Sequence, residues 1–224
     1  MKISDREFVK SYCDWAAYVN WYAAHILLTQ LRKVENLEAK KAIFIKIFFE
    51  YIQTCEHLLV LVHTTKESKN LIGLKRRIVK CPSGGKDFRY LWNDVQKFKR
   101  NPLRFFEYLG IQISKSEYVA DKKALDGFYN AVLACLKNKY SRSRGANVSK
   151  VARAFNKIKH GFAVYTAPSS PDIHIFINAG KQIKAIPFRY DETVAENLCG
   201  SIEAMRNSII NLSDILLTKK LDGG

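Results

Sequence analysis

Apolar residues recur at spacings of three and four along most of this 224-residue chain, which predicts helices over about 5–33, 35–65, 116–140, 148–160 and 192–219. In the first of these, Phe8, Cys13, Trp15, Val19, Tyr22, Ile26 and Leu27 trace the apolar side, and Ser4 with Glu7 has the spacing of a capping box. The second carries two neighbouring stripes: Ile43, Ile47, Tyr51, Thr54 and Leu58, beside Phe44, Phe48, Cys55, Leu59 and Val62. So wide an apolar face belongs in a bundle core or a dimer seam. The last helix repeats the spacing through Val194, Leu198, Ile202, Met205, Ile209, Leu212 and Leu216.

Two stretches break this rhythm. Gly73, Pro82 and Ser83-Gly84-Gly85 make 68–86 look like a connection, followed by a helix over 87–98 and a short one from Asn101-Pro102 to Tyr108, closed by Gly110. After Pro168–Pro171 the period falls to two: Ile173, Ile175 and Ile177 alternate with His174, Phe176 and Asn178, Ala179-Gly180 turns, and 183–188 returns, so a β-hairpin is expected near 172–188. The expected fold is therefore mainly α, a single helical domain over 1–224 made of a bundle with a small hairpin insertion.

Composition narrows the classes. No apolar run approaches the roughly 20 residues that span a bilayer, and the first residues lack a secretory leader's unbroken apolar core, so a cytoplasmic protein with no membrane partner is expected. Five cysteines, widely spaced and without a C-x-x-C pair, argue against a disulfide framework or a thiolate zinc site. Cys13, Cys55 and Cys135 lie in apolar helical patterns and are expected to be small buried hydrophobes.

The net charge of +16 is confined to two segments. Between Lys75 and Arg104 ten basic residues face two acids, and between Lys137 and His160 eight face none, a net of +8 in each. The other 19 basic residues are matched by 19 acids. Such a field suits RNA or another polyanion, with Lys75, Arg76, Arg77, Arg142, Arg144, Lys157 and Lys159 as candidate contacts. A solvated basic surface without a specific partner is the alternative.

Phosphate-binding, dinucleotide, zinc-protease and serine-hydrolase signatures are missing from the sequence, and no cofactor or metal is expected. What remains is Arg153-Ala154-Phe155-Asn156-Lys157-Ile158-Lys159-His160-Gly161. Seven helical residues turn through about 700°, which returns Arg153 and His160 to within about 20° of one face, near Asn156. An arginine fork can hold a phosphate, and a histidine near neutral pKa can move the proton of a ribose 2′-hydroxyl. Alternatively, His160 can satisfy helix-end carbonyls before Gly161.

The R-x6-H spacing, and the run Phe155-Asn156-Lys157-Ile158-Lys159-His160-Gly161 in an F-N-K-x-K-H-G pattern, resemble the HEPN superfamily of all-helical domains. The resemblance implies a homodimer and a metal-independent endoribonuclease of toxin or defence type, with Arg153, Asn156 and His160 as catalytic residues. Two departures stand out: Ala154 occupies a position that is polar in active members, and the hairpin is an addition to the simple bundle. A non-enzymatic helical module binding a protein or nucleic acid is the other function class that fits.

Overall fold

The structure, a computed structural model, describes residues 3–80, 88–140, 164–166, 169–179 and 182–219. Among them are eight α-helices: α1 Asp5–Lys33, α2 Leu37–Lys66, α3 Leu71–Lys80, α4 Arg89–Val95, α5 Leu103–Tyr108, α6 Lys115–Ala120, α7 Lys122–Tyr140 and α8 Glu192–Lys219. Three antiparallel strands, β1 Val164–Thr166, β2 Asp172–Ala179 and β3 Gln182–Arg189, form one sheet in the order β1-β2-β3. No described helix is long and apolar enough to cross a membrane.

The chain gathers into two compact units. The first comprises Met1–Val19, Thr54–Leu136 and Ala204–Gly224; the second comprises Asn20–Gln53 and Lys137–Glu203. In the first, α2 runs almost wholly buried from Thr54 to Thr65. Burial on all sides explains why its apolar residues fill two stripes rather than one. Met205 of α8 sits against two thiols there, its Sδ 3.6 Å from Cys55 Sγ and 3.1 Å from Cys135 Sγ. Phe105, Phe106 and Phe128 complete that core with ring centroids 5.8–5.9 Å apart.

In the second unit, the first half of α2 carries the sheet. Phe44 and Phe48 each hold Phe188 of β3 at 5.2 Å between centroids. The fully buried Lys41 donates to the Ser170 carbonyl at 2.8 Å, and Glu38 accepts from Thr166 Oγ1 at 2.7 Å. The period-two pattern is realised as expected: Ile173 and Ile175 are buried, Phe176 is exposed, and β2 pairs with β3 from Asp172↔Arg189 to Ala179↔Gln182. The additional strand β1 pairs Tyr165 with His174. Three residues are too few for alternation to announce it in the sequence.

Three expectations are corrected. The connection expected over 68–86 contains α3: Leu71, Leu74 and Ile78 are buried on one stripe, and Asn70 caps the helix by accepting from Gly73 N–H at 2.9 Å. Clustered cations and Gly73 conceal this short stripe in the sequence. The single helix expected over 116–140 is two, because the chain leaves helical geometry at Asp121 (φ −106°, ψ 20°). A Ser114–Glu117 capping box starts the first of them. On α1 the core side is Val9, Cys13, Ala16 and Ala17, then Asn20, Ala24 and Leu31, whereas Trp15, Tyr22 and Ile26 are exposed. The alanines fill the core where the larger rings were expected.

Candidate nucleic-acid interface

Of the residues singled out in the sequence, Lys75, Arg76 and Arg77 lie on α3. Successive helical positions turn by about 100°, so the buried Leu71, Leu74 and Ile78 fix the inner face and place Arg76, Arg77 and Lys80 across the outer one, where all three are exposed. Lys75 lies nearer the inner face. Its ammonium is 2.8 Å from Asp5 of α1 and 5.4 Å from the Phe8 ring centroid, so it is already committed to packing α3 against α1. The exposed guanidinium groups of Arg76 and Arg77 are the ones open to a phosphate.

Arg142, Arg144, Arg153, Asn156, Lys157, Lys159 and His160 lie outside the described residues, as does the helix expected over 148–160. Cys81 does too, whereas Cys13, Cys55 and Cys135 are buried free thiols, as their apolar surroundings in the sequence suggest. Burial pushes the Cys13 thiol up to about 12 and the half-buried Cys199 thiol up to about 11. Neutral thiols of this kind are packing groups rather than nucleophiles.

A cluster that the sequence did not single out lies where the end of α2 meets α4 and α5. His63 Nδ1 shares a hydrogen bond with the Tyr90 hydroxyl. The Lys66 ammonium stands 5.1 Å from the Tyr90 ring centroid, 4.6 Å from that of Tyr108 and 3.9 Å from the Asp94 carboxylate. Asp94 in turn accepts from Lys97 and from the Tyr108 hydroxyl, each at 2.9 Å. The Lys97 bond, followed by that from Tyr108, draws the Asp94 carboxyl below its ordinary range, while burial and Asp94 raise the Tyr108 phenol. The six participants come from positions 63, 66, 90, 94, 97 and 108, so no single local spacing in the sequence marks the cluster.

Among the described residues, no group of three or more His, Cys, Asp or Glu side chains is placed to hold a metal ion. No family model, curated protein or solved structure matches this chain.

Proposed function

We propose that the protein is a HEPN-like RNA-binding domain that acts as a homodimer and cleaves RNA without a metal ion. The observation that carries this reading is the Arg153–His160 run, set in a segment with a net charge of +8 and no acid. The exposed Arg76, Arg77 and Lys80 of α3 support its binding half.

In this reading Arg153 binds the scissile phosphate, and Asn156 orients Arg153 and His160. His160 takes the proton of the ribose 2′-hydroxyl as that oxygen attacks phosphorus, and the bond to the 5′-oxygen breaks, that oxygen taking a proton from water. The products are a 2′,3′-cyclic phosphate and a 5′-hydroxyl end. The test is incubation of mixed labelled RNA with wild type and His160→Ala in EDTA, with analysis of the ends. Cleavage by wild type alone, leaving cyclic phosphates, is expected. No cleavage by either folded protein overturns the enzymatic reading.

A non-enzymatic helical module is favoured by one observation, the exposure of Trp15 (69%) and Tyr18 (44%), large rings of the kind that anchor partners. Arg153→Lys separates the two readings. A catalytic fork loses activity at unchanged stability, and an arginine that instead pairs with a carboxylate such as Glu50 or Glu56 loses stability.

A further inference from the structure

We propose that the turn from Lys97 to Arg104 is a second contact for the RNA phosphodiester backbone, separate from the α3 arginines. It rests on the RNA-binding reading above and locates part of the interface.

The turn is rigidly seated. Val95 is fully buried and its carbonyl accepts from the Tyr129 hydroxyl at 3.0 Å. Phe98 packs its ring 6.2 Å from Phe105 and 5.4 Å from Tyr108. The backbone closes on itself, with Asn101 N–H donating to the Phe98 carbonyl at 2.9 Å and Arg104 N–H to the Asn101 carbonyl at 3.2 Å. With these groups held inward, Lys97, Lys99, Arg100 and Arg104 are all exposed within eight residues.

The acids do not cancel them. Asp94 is engaged by Lys97 and Tyr108, Glu107 follows the turn in the sequence, and Glu67 lies near Tyr108. Lys99, Arg100 and Arg104 make no ion pair with a described carboxylate. Because the backbone that carries these three cations is preformed, binding phosphates costs side-chain freedom but little backbone freedom.

The surroundings favour a nucleic-acid backbone over a lipid surface. None of the exposed large apolar side chains lies between Phe88 and Ser114, so the described chain on either side of the turn offers no apolar anchor for a bilayer. Lys66 stands over both Tyr90 and Tyr108, which keeps a base from stacking on that side of those two rings. The turn therefore reads charge and not sequence.

The test is fluorescence anisotropy of the full chain with labelled oligo-uridylate and oligo-adenylate at several salt concentrations. Wild type is compared with the triple variant Lys99→Ala, Arg100→Ala, Arg104→Ala and with Arg76→Ala, Arg77→Ala. Each phosphate contact contributes about 0.7 to the salt slope on a single strand, so the triple variant is expected to lose roughly 2 from the slope, equally on both oligonucleotides. An unchanged slope in a triple variant that folds, with wild type binding, overturns this site and leaves the RNA reading standing. Failure of wild type to bind either oligonucleotide overturns both. Loss of binding to phosphatidylserine vesicles with RNA binding intact overturns the site in favour of a membrane contact. If the triple variant does not fold, Arg100→Ala alone decides in the same way, through an expected slope loss of about 0.7.

Discussion

Lys41 has no exposed side-chain surface, yet its ammonium lies 2.8 Å from the Ser170 carbonyl and 2.5 Å from Glu38. A buried cation is tolerated where its donors are filled, and here the filling also ties the entry to β2 onto α2. Removing the ammonium leaves that carbonyl without this donor. Lys41→Ala is therefore expected to cost about 1 to 3 kcal/mol, seen in thermal melts as a Tm lowered by roughly 2 to 12 °C. A shift within about 1 °C would show that the contact contributes nothing net.

Met205 makes a parallel case in an apolar setting. Its thioether contacts Cys55 and Cys135, and the residue is only 3% exposed. Met205→Ala empties a space bounded by Cys55 and Cys135, both buried. The expected loss is about 2 to 5 kcal/mol in chemical denaturation, whereas Met205→Leu, close in volume, should cost under about 1.5 kcal/mol. Equal losses would point to a role for the sulfur itself.

Long-period patterns carried most of the fold. The bounds of α1 and α8, the Ser4–Glu7 capping box and the pairing of β2 with β3 follow from spacings that a reader of the sequence can count. Ser4 N–H donates to Glu7 at 2.9 Å, and Glu7 N–H to Ser4 at 3.2 Å, as the capping spacing requires. What the sequence concealed is short or set by tertiary packing. Ten residues of α3 give three buried positions, too few to stand out against four cations. Trp15 and Ala16 are equally compatible with a helix, and packing, not periodicity, decides that the alanine goes inside. The Lys66–Tyr90–Tyr108–Asp94 cluster is assembled over 42 residues of chain, beyond any local motif. For the candidate site, α3 shows which of its cations are exposed, a distinction that charge counting does not make.

Acid sensitivity follows from Glu117. Its carboxylate is held by Lys219 first, then by the backbone and hydroxyl of Ser114, which draws it down to about 2 from its ordinary 4.5. A depressed carboxyl contributes stability above its unfolded value and loses it as pH falls toward its folded one. This contribution is thus present at neutral pH and disappears between about pH 5 and 2. Glu117→Gln is expected to flatten that part of the Tm-against-pH curve, and Ser114→Ala to cost about 1 kcal/mol at neutral pH through the lost cap. A curve for Glu117→Gln parallel to wild type below pH 5 would sink the assignment.

Neighbouring cations on α3 are expected to behave differently. Lys75 is tied to Asp5 at 2.8 Å with both side chains about one-third exposed, a pair worth up to about 1 kcal/mol. Lys75→Ala should therefore lower Tm by a few degrees and leave most RNA binding in place. Arg76→Ala with Arg77→Ala should do the reverse: Tm changes little, because neither is in the core, and the salt slope for a single strand falls by about 1.4. Melts and anisotropy on the same two preparations check both halves. If Lys75→Ala weakened binding as much as the double variant at unchanged Tm, the lysine would be leaving Asp5 for phosphate, and the division between a structural and a binding face of α3 would be wrong.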